Sequence, residues 1–64
     1  MTKYIIQDAV TKTTYVQFDR FGDVLDTYAS LEDATTFDSE PIARRAAMMA
    51  DNATLGRVFT YRQA

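Results

Sequence analysis

The sequence contains no cysteine and no histidine. Without cysteine the chain has no disulfide and no thiolate metal ligand, and without histidine it lacks the commonest zinc ligand and general base. Its two serines, Ser30 and Ser39, have no base partner that would turn either of them into a nucleophile. The sequence therefore predicts no catalytic residue, no cofactor and no structural metal.

Glycine and long apolar runs are also scarce. The only glycines are Gly22 and Gly56, so the chain has no glycine-rich loop of the kind that binds phosphate. The apolar runs are far too short to span a bilayer, and the chain does not begin with the charged and apolar leader of a secreted protein. These features predict a cytoplasmic protein that does not insert into a membrane.

The chain has 64 residues, of which 47% are hydrophobic and 25% are charged, as in ordinary folded domains. We expect a single domain over residues 1–64. A chain of this length buries only about 60% of its unfolded surface, so its core is thin. A homodimer would enlarge that core, paired through the first strand, the last strand or the sheet face that carries no helix.

Apolar and β-branched residues alternate with polar ones within the first 28 residues and again over residues 57–62, whereas a helix-forming run rich in alanine lies between them, over residues 41–52. The predicted fold class is α+β: a small antiparallel sheet of three or four strands with one helix on one face, in the order β-β-β-α-β. The predicted strands are residues 3–7, 13–18, 24–28 and 57–62, with a single helical turn over 30–34 and the helix over 39–52.

The spacing of apolar residues in the predicted helix places Ile42, Ala46, Met49 and Ala50 on one stripe, which we expect to face the sheet. The remaining core candidates are the large apolar residues of the strands and of the segment before the helix. The full predicted core is Ile5 or Ile6, Val16, Phe18, Leu31, Phe37, Ile42, Ala46, Met49 and Val58.

Acidic residues are concentrated in the middle of the chain. Between positions 19 and 40, seven carboxylates and one arginine give a net charge of −6, although the whole chain has a net charge of only −2. Such a segment attracts basic surfaces. The predicted partner is therefore a larger protein with a basic surface. The predicted contact residues are Asp19, Asp23, Asp26, Glu32 and Asp33, with a second, weaker patch at Arg44, Arg45 and Met48. Alternatively, the segment is ordinary solvated surface.

An alternative function is nucleic-acid binding or transcriptional regulation, because aromatic residues on a sheet face next to arginines can stack single-stranded bases. The aromatic residues of that hypothesis are Tyr4, Tyr15, Tyr28, Phe59 and Tyr61, and the arginines are Arg44, Arg45, Arg57 and Arg62. An isoelectric point near 4.7 makes nucleic acid the less favoured partner.

One stretch follows the pattern L-x-D-A-x-x-F-x-S/T-x-x-x-A, with Leu31, Asp33, Ala34, Phe37, Ser39 and Ala43 in its fixed places. This pattern resembles one found in small bacteriophage-encoded accessory proteins, where it joins an opening β-hairpin to a helix and a closing strand. Some small acidic proteins of that kind are anti-CRISPR inhibitors. The resemblance implies a non-enzymatic protein that binds and blocks a host protein, such as an RNA-guided nuclease, in the cytoplasm of a bacterial host cell.

Overall fold

A computed structural model describes residues 2–64, and Met1, the first residue of the predicted domain, lies outside the described part of the chain. The elements follow the order β-β-β-α-β, with a single 3₁₀ turn before the helix, and this confirms the predicted α+β fold. Their bounds are β1 Tyr4–Asp8, β2 Tyr15–Phe18, β3 Val24–Ala29, the 3₁₀ turn Leu31–Asp33, α1 Glu40–Ala53 and β4 Phe59–Gln63.

The four strands form one antiparallel sheet in the order β3-β2-β1-β4. Strand β1 lies between β2 and β4, so the prediction that a dimer could pair through the first strand is wrong. The edge strands are β3 and β4. On β4 the Phe59 amide donates to the Asp51 carboxylate at 2.7 Å, so a side chain of α1 already occupies part of that edge.

The segment before α1 lies between β1 and β2, where these two strands diverge. The Thr35 amide donates to the Val16 carbonyl at 3.3 Å, and the Phe18 amide donates to the Thr35 hydroxyl at 2.7 Å. On the other side, Phe37 and Tyr4 exchange two backbone hydrogen bonds of 2.8 Å each. The segment therefore satisfies backbone groups that the divergence would leave unpaired.

The main core lies between α1 and the sheet, and the helix contributes only alanines to it. Ala43, Ala46, Ala47 and Ala50 are buried against Ile6, Val16, Phe18 and Phe59. Small side chains let the helix axis lie close to the strands. Of the predicted core, Ile6, Val16, Phe18 and Ala46 are confirmed, and Phe37 is partly buried against the cluster.

Four predicted core residues are exposed instead. Ile42 is 52% exposed and Met49 is 39% exposed, because the buried face of α1 is rotated from the predicted stripe towards Ala43 and Ala47. Leu31 and Val58 are also more than half exposed, since they lie in the 3₁₀ turn and in the loop before β4 rather than between the helix and the sheet.

The sheet face opposite α1 is not bare. Ile5 is 1% exposed and Tyr15 is 8% exposed, and by strand alternation both point away from the helix. The expectation of an uncovered sheet face available for a dimer is therefore wrong around these residues.

No helix among residues 2–64 is long and apolar enough to cross a membrane.

Candidate functional site

The predicted acidic residues follow one edge of the sheet. Asp19 and Asp23 lie in the turn between β2 and β3, Asp26 lies on the edge strand β3, and Glu32 and Asp33 lie in the 3₁₀ turn just after it. We call these five residues the acidic edge. The acidic residues that share one stretch of the sequence therefore lie on one side of the sheet.

Three carboxylates of the acidic edge also hold local structure. Asp19 Oδ1 accepts hydrogen bonds from the amides of Phe21 and Asp23, at 2.8 and 3.0 Å, and so closes the β2–β3 turn. Asp26 Oδ1 accepts from the Tyr28 amide at 2.8 Å, and Asp33 accepts from the Ser30 hydroxyl at 3.3 Å. Asp23 and Glu32 are exposed and can be changed without disturbing these bonds.

The second predicted patch lies on the outer side of α1, away from the alanine face. Arg44 pairs with Glu40 at 3.0 Å, one helical turn earlier, and lies 5.9 Å from the centre of the Tyr61 ring. Met48 is 60% exposed. Arg45 and Met48 are three residues apart and Arg44 and Met48 four apart, so the three predicted residues are neighbours on this outer face, and Arg45 also lines a groove beside the helix.

The groove beside Arg45 is lined almost entirely by apolar groups. It has a volume of about 150 Å³ and lies between α1 and the β2–β3 turn. We call it the apolar groove. Phe18 and Phe37 meet there edge to face, with ring centres 5.4 Å apart. The residues that line it are Phe18, Gly22, Phe37, Ile42, Arg45, Ala46 and Met49.

At the other end of the sheet lies an ion pair, between Asp8 and Arg57, that was not predicted from the sequence. Arg57 Nε and Nη2 donate to Asp8 Oδ2 at 3.3 and 3.0 Å, and the Asp8 side chain is almost completely buried. Arg57 also donates to the hydroxyl and carbonyl of Thr27, at 2.8 and 3.0 Å, and lies 4.1 Å from the centre of the Tyr28 ring. One side chain thus joins the loop before β4 to β1 and β3.

The environment of Asp8 favours its carboxylate form. The backbone amides of Thr11 and Val10 donate to it and lower its pKa, Arg57 lowers that pKa further, and burial opposes these effects. A cavity of about 390 Å³ opens over the ion pair, with Thr11 in its wall. Because the charges of the pair cancel and the guanidinium binds groups of its own chain, we assign the pair a structural role.

A pairing rule could have pointed to this contact. An antiparallel pairing of the first and last strands brings the end of the first next to the beginning of the last, and the register here is Asp8 opposite Phe59. No local pattern pairs the first strand with the last, so the Asp8 carboxylate and the Arg57 guanidinium, 49 residues apart, were not connected from the sequence.

The aromatic residues do not form one platform. Tyr4, Tyr61 and Phe59 pack on the core between the helix and the sheet, and Tyr4 and Tyr61 meet edge to face at 6.0 Å. Tyr15 is buried on the opposite face, whereas Tyr28 is exposed and stacks on Arg57. The arrangement therefore gives little support to base stacking on a single sheet face.

Within the described residues, no group of three or more acidic side chains is placed to hold a metal ion. Comparison with protein-family models, with curated proteins and with solved structures finds no similar protein for this chain.

Proposed function

We propose that this chain is a non-catalytic binding protein that blocks a larger host protein by occupying a basic surface on it. The observation that carries the proposal is the acidic edge, which extends along β3 and both of its flanking turns. Carboxylates along one edge steer the approach of a basic surface and fix its register. The resemblance to phage accessory proteins favours an RNA-guided nuclease as the host protein.

The exposed apolar side chains support binding to a protein. Phe21, Leu25 and Tyr28 lie on β3 or in the turn before it, among the acidic residues, and each is more than 60% exposed. Large apolar side chains that remain exposed in a small domain often mark a contact with another protein. Protein interfaces commonly have an apolar centre and a polar rim, and here the carboxylates would form part of that rim.

The test measures inhibition of purified RNA-guided nucleases, each loaded with its guide RNA, cutting a labelled DNA target. We expect the wild-type chain to inhibit at least one of them and the double variant Asp23→Asn/Glu32→Gln to inhibit it several-fold less. The matched control Asn52→Lys/Gln63→Lys changes the net charge by the same two units at exposed positions outside the acidic edge. We expect this control to inhibit like the wild type.

Two results would contradict the proposal. Equal loss of inhibition in both double variants would mean that net charge matters and the acidic edge does not. Absence of inhibition with every nuclease would refute the nuclease form of the proposal, and capture from a host lysate would then test the general form with the same variants. A shift of DNA or RNA in a gel at low salt would favour the nucleic-acid alternative instead.

A further inference from the structure

The two edges of the sheet differ in how well they are closed. On β3 the Asp26 carboxylate accepts a hydrogen bond from the Tyr28 amide at 2.8 Å, and the Thr27 carbonyl accepts one from Arg57 at 3.0 Å. The pairing of β3 with β2 also shifts register twice, as at β-bulges. Bulges and covering side chains prevent an edge strand from pairing with another chain. Strand β3 is therefore a protected edge.

Alternate residues of β4 turn their backbone groups away from β1. The Ala9 amide donates to the Val58 carbonyl at 2.9 Å, and the Ala64 amide donates to the Lys3 carbonyl at 2.8 Å. These two bonds fix the phase of the antiparallel ladder, because hydrogen-bonded and non-hydrogen-bonded pairs alternate along it. In this phase, the residues of β4 whose amides and carbonyls point outwards are Phe59, Tyr61 and Gln63.

Most of these outward groups have no partner within residues 2–64. The Phe59 amide is bonded to Asp51, and the Tyr61 carbonyl has one long contact, at 3.4 Å, with the Thr60 hydroxyl. The amides of Tyr61 and Gln63 and the Phe59 carbonyl are left for a further strand. We call these three groups, together with the Tyr61 carbonyl, the open edge. Such unpaired edge groups are a template for pairing with another chain.

A second copy of β4, antiparallel to the first, fits the open edge. With a two-fold axis at Tyr61, each Tyr61 amide donates to the Tyr61 carbonyl of the other copy. Each Gln63 amide then meets the Phe59 carbonyl of the other copy, so the axis gives two hydrogen bonds of each kind. The Phe59 amide remains bonded to Asp51. Every group of the open edge is paired in this register.

Neighbouring registers fit less well. An axis at Thr60 needs the Phe59 amide as a donor to the second copy, and Asp51 already holds that amide. An axis at Arg62 sets the two arginines directly opposite each other, and like charges in that position destabilise a sheet. The axis at Tyr61 instead sets Arg62 opposite Thr60. Hydrogen bonding and charge therefore select the same register.

The helix residues beside this axis are also complementary in charge. The Tyr61 hydroxyl donates to Glu40 Oε1 at 3.1 Å, and the Arg44 guanidinium lies 5.9 Å from the centre of the Tyr61 ring. Both charged side chains are about half exposed. Because a two-fold axis reverses the order of these two residues, it brings Glu40 of one copy towards Arg44 of the other.

We propose that this chain forms a homodimer through β4, with the two-fold axis at Tyr61, so that two four-stranded sheets join into one. The two acidic edges then lie at opposite ends of the joined sheet, where both remain accessible, because β3 and β4 are the opposite edges of each copy. The inference does not rest on the proposed function. It adds that one dimer presents two acidic edges and can occupy two basic surfaces.

The experiment measures sedimentation of the purified chain from about 10 μM to about 1 mM, a range that covers weak pairs. We expect a monomer–dimer equilibrium for the wild type. Gln63→Pro removes an outward amide without breaking a bond to β1, so the fold is kept. It should weaken dimerisation about tenfold or more, since two of the bonds are lost. The matched control Gln63→Ala keeps the amide and should dimerise like the wild type.

Charge reversal tests the contact across the axis. Glu40→Lys and Arg44→Glu each oppose like charges between the two copies, so each should dimerise several-fold more weakly than the wild type. An equimolar mixture of the two variants should restore pairing, because every cross-axis contact then joins opposite charges. A change confined to a single chain would not be rescued by mixing.

Met49→Lys is the control for association through exposed apolar groups. It puts a charge into the apolar groove, away from β4, and should dimerise like the wild type. Three outcomes would overturn the inference: a wild type that stays monomeric throughout, a folded Gln63→Pro that dimerises like the wild type, or loss of the dimer in Met49→Lys. If Gln63→Pro fails to fold, a mixture of the charge-reversed variants that pairs no better than its components would overturn it.

The outcomes of the two experiments are independent. Sedimentation of the purified chain involves no host protein, so its failure leaves the inhibition test of the acidic edge standing. Failure of that inhibition test likewise leaves the dimer standing, because the open edge and the acidic edge lie on different strands.

Discussion

The rotation of α1 gives the sharpest test of the packing. The sequence pattern predicts Ile42 in the core, whereas the structure leaves it 52% exposed and buries its neighbour Ala43 completely. The two arrangements predict opposite effects for two substitutions at adjacent positions. Ile42→Ala removes a large side chain from the predicted stripe, and Ala43→Leu adds one to the observed face.

The structure predicts a small effect for Ile42→Ala. Full burial of an isoleucine side chain stabilises a fold by about 1.5–3 kcal/mol, so a half-exposed one contributes roughly 1 kcal/mol. Alanine forms helix more readily than isoleucine, by up to about 0.5 kcal/mol, which offsets part of the loss. We expect a net destabilisation of about 0.5 kcal/mol. A core isoleucine would instead lose about 2–5 kcal/mol.

Ala43→Leu should be the damaging change. Ala43 is fully buried where α1 lies against the sheet, so the added carbons would push the helix outwards or force strained rotamers. Overpacking of this kind typically costs about 1–3 kcal/mol. With a urea slope near 1 kcal/mol per molar for so small a domain, the unfolding midpoint should fall by roughly 1–3 M.

The assay is urea unfolding followed by circular dichroism at 222 nm for both variants, with Ala53→Leu as the control because Ala53 is exposed on the same helix. The control should change the midpoint little. A large loss of stability in Ile42→Ala together with a neutral Ala43→Leu would refute the reasoning, since that result places the predicted stripe against the sheet.

Two further predictions concern polar contacts. The pKa of Asp8 is lowered in the folded state, so the Asp8 carboxylate stabilises the fold above about pH 4 and this stabilisation is lost as the pH falls further. In urea unfolding, the wild type should therefore lose more stability than Asp8→Asn between pH 6 and pH 3. Equal losses in the two proteins would contradict this. Thr35→Val leaves the Phe18 amide without its acceptor and should lower the free energy of unfolding by about 1–3 kcal/mol in the same assay. The control Thr36→Val, at an exposed position, should lower it by under about 0.5 kcal/mol. Equal effects of the two substitutions would refute the role of Thr35.

The parts of the fold that the sequence predicted depend on local patterns. Alternation in Tyr15–Phe18 correctly placed Val16 and Phe18 on the core face, and the alanine-rich run correctly predicted the helix. The rotation of α1 was not predicted, because two different stripes of apolar residues fit the same helical spacing. Residues 42, 46, 49 and 50 include larger apolar side chains, but close approach to the sheet selects the alanines at 43, 46, 47 and 50.

The site could be predicted only as a distribution of charge. The position of the carboxylates along the chain was visible, and because they lie in consecutive elements the fold keeps them on one edge. Their local hydrogen bonds were not visible, so nothing in the sequence separated Asp19, which closes a turn, from the exposed Asp23. The groove required tertiary contacts between Phe37, α1 and the β2–β3 turn, which no local pattern encodes.

The distribution of apolar residues connects stability with binding in this small chain. The helix faces the sheet with alanines, while larger side chains such as Ile42, Met49 and Phe21 stay outside. The hydrogen bonds of Thr35 and the ion pair of Arg57 connect parts of the sheet that the thin core covers little. Changes at the exposed apolar positions therefore remove little of what holds the fold together. The binding variants should fold, and a loss of binding in them would report on the surface itself.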